Sequence, residues 1–440
     1  MKPGIVISRS PRPVGRSRPA GFFALALAAS AATLATATPA HAAGAAEAVQ
    51  YYDARGGSIW FPGGQPDAAF RLLGLIASSE IDGVDPRQFN LRRLQQAVRR
   101  APGAPETDRL LNETLVRYAA AVRAVPTSSE WTIVDREAVQ SPTRVPNMIH
   151  EAAAAGTLAT FVETMPWMHE TYAGLRREVL IAEQRRDRTA ADRLRLNLNR
   201  ARLLPASGPE RYVMVNIAAQ RLYMYENGKV VDWMRVVVGK PAQPTPMMAA
   251  LIRYTAVNPY WNLPPDLVAE RIAPNVVKYG LPYLREKGYV VLSDWSDNAT
   301  RVDPSTIDWK AVVAGRTEIR MRQNPGPANA MGRMKFMFPN KEGVYLHDTP
   351  NKELLDEPAR LLSAGCVRLE DAPRLAKWLY GRPLVVTKGM KPEQHVDLER
   401  PVPVYLAYLT AVSSGNQAVY YDDIYGRDRA RLASLRGAAR

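Results

Sequence analysis

Cysteine is nearly absent from this sequence, because Cys366 is the only one among 440 residues. A single cysteine excludes an intramolecular disulfide. Histidine is also scarce, and the spacing of the five histidines matches no zinc-binding motif. The sequence has no nucleotide-binding loop and no internal repeat. We therefore expect neither a metal ion nor another cofactor.

Long hydrophobic runs are missing from the chain after residue 42. Hydrophobic residues make up 46% of the sequence and charged residues 23%, which excludes a polytopic membrane protein and a wholly disordered chain. A length of 440 residues corresponds to two or three domains of about 150 residues each. The net charge is +15, which favours contact with anionic material.

The first 42 residues have the pattern of a secretory signal peptide. Five basic residues and no acidic residue accompany an apolar run from Ala20 to Thr36. Ala40-His41-Ala42 then gives the small-x-small pattern that signal peptidase cleaves. The run is weakly hydrophobic for a membrane anchor, so we predict removal of residues 1–42 and export of the rest, with a retained anchor as the alternative.

Residues 43–205 predict a mainly helical domain, because apolar residues recur every three to four positions between prolines. The predicted helices are Ala68–Ser79, Leu91–Arg100, Arg109–Ala124, Val145–Phe161 and Tyr172–Asn199. Arginines are concentrated in the last of these and just after it: Arg185, Arg186, Arg188, Arg193, Arg195 and Arg200. They predict a solvated face, with a site for an anionic polymer as the alternative.

Residues 206–390 predict a β-rich domain, so the expected fold class is α+β. Asn227-Gly228, between two alternating runs, is typical of a tight hairpin. Residues 266–322 return to helix-like composition and predict an insertion that interrupts the sheet, here called the cap, for which a lid over the site and ordinary core packing are the two alternatives. A C-terminal extension at 391–440 ends in a basic segment, predicted as a frayed helix. The predicted strands are Tyr212–Ile217, Arg221–Glu226, Lys229–Val238, Leu251–Val257, Lys335–Phe338 and Val344–His347.

The candidate chemistry lies around Cys366. A thiol attacks only as the thiolate, so it needs a neighbouring base or a positive field. His347 can be that base, because a sheet can bring together a strand end and a loop 19 residues apart. Arg368 would add positive potential or bind a substrate carboxylate. Backbone amides at Gly365 and Cys366 would stabilise an acyl oxyanion, so these residues predict a cysteine acyl-transfer enzyme.

Structural roles for the same residues compete with this hypothesis. A free cysteine is often a small buried hydrophobic residue. Arg368 has an ordinary structural ion pair as its alternative role. Cys366 is, however, the only cysteine of a chain predicted to be exported, and it lies next to glycine and downstream of a histidine. This combination favours the catalytic interpretation.

These segments resemble the active-site signature of the L,D-transpeptidase catalytic domain of YkuD type, in which a histidine precedes a Ser-x-Gly-Cys-[Val/Ile]-Arg loop. The loop here is Ser363-Ala364-Gly365-Cys366-Val367-Arg368, and Ala364 replaces a histidine found in many members. Asp82-Gly83-Val84-Asp85-Pro86 resembles the helical scaffold domain of the large periplasmic branch. Other segments similar to that branch are Val238-Gly239-Lys240-Pro241, Thr245-Pro246, Asn258-Pro259-Tyr260-Trp261 and Phe336-Met337-Phe338-Pro339-Asn340.

The resemblance implies periplasmic peptidoglycan cross-linking without a metal or nucleotide. Cys366 would attack a tetrapeptide donor stem after meso-diaminopimelate and release D-Ala, with His347 as general base. The amine of diaminopimelate on an acceptor stem would then give a 3→3 cross-link. The Gly365 and Cys366 amides would lie near the oxyanion. The residues that would shape the loop or bind substrate are Ser363, Arg368 and Tyr345.

The same resemblance sets the expected partners. They are peptidoglycan tetrapeptide stems and other cell-wall synthesis proteins, with carbapenems as covalent inhibitors and no nucleic acid. One alternative is an L,D-carboxypeptidase, in which water resolves the acyl-enzyme, and another is transfer to a different amine, such as one on an outer-membrane protein. A non-catalytic wall-binding scaffold and a general cysteine protease are the others.

Overall fold

The computed structural model describes residues 57–124, 130–139, 145–206, 210–296, 298–387, 389–415 and 417–438. The leader expected at 1–42 lies outside these ranges. The described residues belong to one compact unit, Gly44–Arg440. None of the described helices is long and apolar enough to cross a membrane.

The N-terminal part of the described chain is helical and the rest is rich in strands, which confirms the predicted α+β class. The N-terminal helices bury leucines and aromatic residues, among them Leu72, Leu94 and Tyr172, in one core shared with the sheet. They are α1 Asp67–Ala77, α2 Leu91–Arg100, α3 Pro105–Arg123, α4 Arg136–Val139, α5 Val145–Ala154, α6 Leu158–Thr164, α7 Glu170–Gln184 and α8 Arg188–Ala201, with short 3₁₀ turns at Pro62–Gly64, Ser79–Asp82 and Pro86–Phe89.

Two predicted helices are each split in two. Tyr172–Asn199 breaks between α7 and α8, where Arg186 has a φ of 59° and the Asp187 side chain caps α8. Val145–Phe161 breaks between α5 and α6, where Gly156 has a φ of 68°. Both predictions were wrong because a left-handed residue ends a helix without disturbing the apolar spacing on either side of it.

The six arginines near α8 do not form one solvated face. Arg200 is 3% exposed and pairs with Asp428 at 2.5 Å, and Arg193 pairs with the same carboxylate at 3.6 Å. Arg195 pairs with Glu183. Half of the set therefore has structural partners, and the other three lie exposed at the turn between α7 and α8: Arg185, Arg186 and Arg188.

Asp82 organises the helical part. Its carboxylate is buried and accepts hydrogen bonds from Tyr118 Oη at 2.6 Å, Tyr172 Oη at 2.8 Å and Arg176 Nε at 3.0 Å. Gly83, with a φ of 64°, turns the chain immediately afterwards. This buried cluster joins α3 and α7 to the chain that follows α1. It explains why the Asp82-Gly83 segment noted in the sequence matters for the helical part.

The β-rich part is a 10-stranded mixed sheet with two smaller sheets. Its strands are β1 Trp131–Ile133, β2 Arg211–Asn216, β3 Arg221–Glu226, β4 Lys229–Gly239, β5 Met247–Val257, β6 Trp261–Leu263, β7 Tyr289–Leu292, β8 Arg301–Val302, β9 Arg320–Gln323, β10 Met334–Met337, β11 Leu346–His347, β12 Leu361–Ser363, β13 Val367–Leu369, β14 Gln394–Ala407, β15 Ala411–Ser414 and β16 Gln417–Tyr420.

The main sheet has the order β1-β5-β10-β11-β13-β4-β3-β2-β14, with β12 beside β4. Because β14 pairs with β2 on one side and with β5 on the other, the sheet closes on itself. The predicted hairpin between β3 and β4 is confirmed: Asn227 and Gly228 have φ values of 49° and 76°. Two consecutive positive φ values are what a tight two-residue hairpin requires.

The longest strand, β14, lies in the segment that the sequence assigns to a C-terminal extension. Pro401 and Pro403 interrupt its alternation, and its register with β5 shifts between Asp397 and Val402. Prolines count against a strand in sequence-based prediction, because proline has no N–H to donate to a neighbouring strand. For this reason β14 was not predicted. The last helix, Arg427–Ala438, is not frayed at its start, because Asp428 is 5% exposed and pairs with α8.

The chain between β5 and β10 forms a subdomain with its own core. It contains the sheet β6-β9-β7-β8 and its own small core, which includes Leu263, Val268, Trp309 and Met321. Since β5 and β10 pair directly, this segment is an insertion between two neighbouring strands of the main sheet. Its helical segments are α9 Pro265–Leu267, a π-helical turn Val268–Ile272, α10 Ala273–Tyr279, α11 Pro282–Lys287, a 3₁₀ turn Pro304–Thr306 and α12 Trp309–Val313.

The helical segments that follow β10 in the chain are a 3₁₀ turn Lys352–Leu355, α13 Ala372–Tyr380 and α14 Arg427–Ala438.

Candidate active site

Strands β11 and β13 bring the two predicted catalytic segments together. The strands are parallel, and His347 is opposite Arg368 in their register. Cys366 immediately precedes β13 and therefore lies two residues before Arg368, the partner of His347 in the register. The 19-residue separation in sequence is thus closed by adjacent strands of one sheet.

His347 is 1% exposed, and its hydrogen bond defines its tautomer. Nδ1 lies 2.6 Å from the backbone carbonyl oxygen of Asp348, which can only accept, so Nδ1 carries the proton. The other ring nitrogen, Nε2, is then the basic one. Burial, together with the positive charge of Arg368, lowers the pKa of His347 to about 3. The imidazole is therefore neutral near pH 7.

Cys366 is half-buried, and its Sγ donates a weak hydrogen bond to the Gly343 carbonyl oxygen at 3.6 Å. Burial raises the pKa of this thiol to about 11, although the backbone of Tyr345 and the charges of Arg368 and Lys335 act in the opposite direction. The free protein therefore holds a neutral thiol near a neutral imidazole, and attack requires a proton acceptor.

Ser363 shapes the nucleophile loop rather than opening into a pocket. It is 1% exposed, and its Oγ donates to the Cys366 carbonyl oxygen at 2.6 Å and accepts from Gly365 N at 3.2 Å. Gly365 has a φ of 110°, a conformation that side-chain-bearing residues avoid. Because the Gly365 amide is engaged by Ser363, the Cys366 amide is the better candidate for an oxyanion.

Arg368 and Tyr345 border the same centre. Burial and the neighbouring Arg271 lower the pKa of Arg368, and its Nε has no hydrogen-bond partner among the described residues. The alternative role of Arg368 was an ordinary structural ion pair. A buried Nε without a partner in the described part of the chain does not fit that role. The Tyr345 ring lies edge-on to the His347 ring, with 6.1 Å between centroids.

Sequence reasoning missed Lys335 and Thr245. Lys335 lies on β10 directly opposite His347 and is 8% exposed. A lysine inside the apolar strand Met334–Met337 was a usable signal, because burying a charge is costly unless a function or partner requires it. Thr245 is fully buried and donates to the Gly365 carbonyl oxygen. No local pattern indicates that contact, since the two residues are 120 positions apart.

Among the described residues, no group of three or more His, Cys, Asp and Glu side chains is arranged to hold a metal ion. Asp348, which follows the candidate base His347 in the chain, accepts from Arg333 N at 2.9 Å and from Lys352 Nζ at 2.8 Å. The site thus consists of a thiol, an imidazole, backbone amides and cationic side chains.

Comparison with known proteins gives two family matches. Residues 210–404 match the family model described as the L,D-transpeptidase catalytic domain, YkuD, and residues 46–179 match one described as a scaffold domain. A curated protein of Haemophilus influenzae, named provisionally as an L,D-transpeptidase, is 34% identical over 244 residues. These residues are 54% of this chain and 48% of that protein, so the chain spans about half the length of this relative.

Two solved structures show weaker similarity. An L,D-transpeptidase from Mycobacterium smegmatis has 18% identity and a TM-score of 0.22, with 45% of this chain and 59% of that chain covered. The structure of the Ldtfm-avibactam carbamoyl enzyme has 16% identity and a TM-score of 0.21, with 48% and 61% covered. Similarity at this level adds no argument to the family matches. From those matches, the chain contains an L,D-transpeptidase catalytic domain of the YkuD family at residues 210–404, preceded by a scaffold domain.

Proposed function

We propose that this protein is a peptidoglycan L,D-transpeptidase that forms 3→3 cross-links through a thioester on Cys366. The observation that supports the proposal is the pairing of β11 with β13, in which His347 is opposite Arg368, two residues after Cys366, while His347 Nδ1 is held by the Asp348 carbonyl oxygen. The family matches support the reaction class. The identity of the donor and acceptor stems rests on the resemblance of the active-site loop.

The first step would transfer the donor acyl group to the thiol. Sγ attacks the carbonyl carbon of meso-diaminopimelate in the donor tetrapeptide, and its proton passes to His347 Nε2. The pKa values of about 11 for the thiol and about 3 for the imidazole disfavour a resting ion pair, so the proton moves as the S–C bond forms. The C–N bond then breaks, and His347 returns the proton to the amine of the departing D-Ala.

The second step would release the thioester to an amine. The side-chain amine of diaminopimelate on an acceptor stem attacks the thioester carbon, the new C–N bond forms and the S–C bond breaks. A proton from the amine reaches Sγ through His347 Nε2, which restores the starting enzyme. In both steps the amide of Cys366 would donate to the oxyanion of the tetrahedral intermediate.

The site of action is proposed to be the periplasm. This rests on the leader sequence at 1–42, whose cationic start, apolar run and Ala-x-Ala end are typical of a cleaved signal peptide. Peptidoglycan stems and other cell-wall synthesis proteins would be the partners there. The domain limits proposed from sequence remain 43–205, 206–390 and 391–440, with the cap at 266–322.

The test is mass spectrometry of muropeptides after incubation of purified protein with disaccharide tetrapeptides. We expect diaminopimelate-to-diaminopimelate dimers from the wild type and a loss of roughly 10⁴-fold or more with Cys366→Ala. His347→Gln should lose roughly 10²- to 10⁴-fold, the usual contribution of a general base. Tripeptides without dimers would instead identify an L,D-carboxypeptidase.

Two further outcomes separate the remaining alternatives. A Cys366→Ala chain that restored every cellular phenotype of the wild type would identify a wall-binding scaffold, because a scaffold needs no nucleophile. Cleavage of an all-L peptide would identify a general cysteine protease. We also expect a carbapenem to acylate Cys366, which intact-protein mass would report as an added mass absent from Cys366→Ala.

A further inference from the structure

The nucleophile loop is held by a threonine from the loop between β4 and β5. Thr245 Oγ1 donates to the Gly365 carbonyl oxygen at 2.8 Å and accepts from Gly239 N at 2.9 Å. Thr245 is fully buried. The end of β4 also contacts the loop, since Lys240 N donates to the Ser363 carbonyl oxygen at 2.9 Å.

The bond from Thr245 acts on the peptide group that would bind the oxyanion. The Gly365 carbonyl and the Cys366 N–H belong to one planar peptide unit and point in opposite directions when that unit is trans, and the described residues contain no cis peptide bond. Fixing the carbonyl oxygen therefore fixes the direction of the Cys366 N–H. Gly365, with a φ of 110°, offers no side chain that would restrict this unit by itself.

A tyrosine from the C-terminal segment holds Thr245 in turn. Tyr425 Oη donates to the Gly239 carbonyl oxygen at 2.7 Å and accepts from Thr245 N at 3.3 Å. Arg427 Nη2 donates to the Thr245 carbonyl oxygen at 3.1 Å. The backbone and the hydroxyl of Thr245 are thus both engaged, by the C-terminal segment on one side and by β4 and the nucleophile loop on the other.

The C-terminal segment is itself anchored to the helical part. The Tyr425 ring stacks on Tyr408 at 5.5 Å, and the Arg427 guanidinium lies 5.0 Å from the Tyr408 ring centroid. Asp428, next in the chain, pairs with Arg200 of α8 at 2.5 Å. A continuous set of contacts therefore runs from the scaffold helix α8 to the peptide unit before the nucleophile.

We propose that Thr245 and Tyr425 are positioning residues that orient the Cys366 amide toward the acyl oxyanion. They also make the rate of acyl transfer depend on the C-terminal segment. This inference rests on the proposed function, because only an acyl transfer develops an oxyanion. Neither side chain touches the sulfur, so their effect falls on oxyanion stabilisation and not on the formation of thiolate.

Two reactions of the same thiol separate these effects. Acylation by a carbapenem passes through an oxyanion, whereas alkylation by iodoacetamide is a displacement at saturated carbon and needs only an accessible thiolate. Both are followed on the full-length protein by intact mass. Tyr425→Phe removes the hydroxyl and keeps the stacked ring, and Thr245→Val removes the hydroxyl at similar volume, whereas Thr245→Ser keeps it.

We expect Tyr425→Phe and Thr245→Val to slow acylation about tenfold, the effect of losing one well-placed hydrogen bond, with alkylation unchanged within about twofold. Thr245→Ser should restore most of the acylation rate. Tyr380→Phe is the matched control, because Tyr380 Oη also makes two hydrogen bonds, to Val396 O at 2.6 Å and Thr255 Oγ1 at 3.0 Å, but does not contact the nucleophile loop. Its acylation rate should equal that of the wild type.

Equal losses of acylation and alkylation in Tyr425→Phe, or an equal loss of acylation in Tyr380→Phe, would overturn the positioning role. If Thr245→Val fails to fold, Tyr425→Phe still decides the question, since its ring stack is intact. A wild-type protein that is alkylated but never acylated would contradict the proposed function itself, and the positioning role would fall with it.

Discussion

Lys335 Nζ lies 2.8 Å from Glu393 Oε1, and this ion pair is part of the wall of the candidate active site. Lys335 is on the strand opposite His347, and its ammonium lies 5.7 Å from the Tyr345 ring centroid. Glu393 Oε2 accepts from Tyr260 N at 2.5 Å, where the chain enters the cap. One carboxylate therefore joins the start of β14, the chain that leads into the cap, and the lysine opposite the candidate base His347.

The charge of Lys335 should tune the thiol. A nearby positive charge favours the thiolate, so Lys335 lowers the pKa of Cys366 against the effect of burial. Lys335→Met should move the pH profile of iodoacetamide alkylation upward, on the order of half a pH unit. Glu393→Gln leaves the lysine charge unneutralised and should move the profile in the opposite direction.

Lys352→Met is the contrasting control for this prediction. Lys352 lowers the pKa of His347 but does not contribute to that of Cys366. Its alkylation profile should therefore match the wild type. Profiles of Lys335→Met and Glu393→Gln that shift in the same direction would contradict an electrostatic effect and indicate a change in loop geometry.

Local patterns were sufficient to predict part of this arrangement. Leu91–Arg100 was predicted with its observed bounds because its apolar spacing is regular, and the Asn227-Gly228 hairpin because only a few residue types tolerate two positive φ values. The pairing of His347 with the segment of Cys366 was expected from chemistry, as a base and a nucleophile without partners in their own segments.

Contacts between distant parts of the chain were not predictable in this way. Glu393 and Tyr425 lie in a segment expected to be an extension, yet they reach Lys335 and Thr245 through the closed sheet. No periodicity encodes such a pairing, because it depends on the register of β14 with β5. The break at Arg186 was missed for a related reason: a cap decides where a chain folds back, whereas apolar spacing continues through it.

The buried carboxylate of Asp82 should be essential for the stability of the helical part. Asp82→Ala leaves Arg176 with an uncompensated charge in a site where its side chain is 8% exposed. Removing one partner of a buried pair typically costs about 3–5 kcal/mol, so a fall of that size is expected in the free energy of unfolding measured with urea. Asp85→Ala, three residues away and half-exposed, should leave the free energy of unfolding close to that of the wild type.

A double variant tests the reason for that loss. If the cost of Asp82→Ala arises from the unpaired guanidinium, Arg176→Leu in the same chain should recover part of it, because the buried charge is then gone. A double variant less stable than Asp82→Ala would instead assign the cost to the tyrosine hydroxyls, Tyr118 and Tyr172, which also lose their acceptor.

Two buried histidines should make the fold sensitive to acid. Burial lowers the pKa of His169 to about 4 and that of His347 to about 3. Between these values and the unfolded pKa of about 6.5, the unfolded chain binds more protons, so stability falls as pH falls from about 6.5 toward 4. Each histidine contributes up to about 1.4 kcal/mol per pH unit to the slope of the unfolding free energy.

His169→Asn should reduce that slope. His169 Nδ1 accepts from Thr171 N at 3.0 Å at the start of α7, and asparagine can replace this cap without a titrating group. The variant loses the contact of Nε2 with Tyr212 Oη at 2.9 Å and is expected to be less stable at pH 7. Urea unfolding at several pH values measures both effects, and a slope equal to the wild type would contradict the linkage.

Gly239 should tolerate no side chain, because the loop that carries Thr245 folds back directly onto it. A Cβ added at Gly239 would lie 2.2 Å from Gln243 O and 2.7 Å from Thr245 N, both backbone atoms. Gly239→Ala must displace this loop, so we expect a loss of about 1–3 kcal/mol in unfolding free energy. Carbapenem acylation should also slow more than iodoacetamide alkylation, since Thr245 loses its place beside the Gly365 carbonyl.

Gly74→Ala, at an exposed helical position with no atom within 4 Å of the new Cβ, should instead stabilise the protein by about 0.5–1 kcal/mol. If both alanine variants change stability in the same direction, the close approach at Gly239 does not set the geometry of the nucleophile loop.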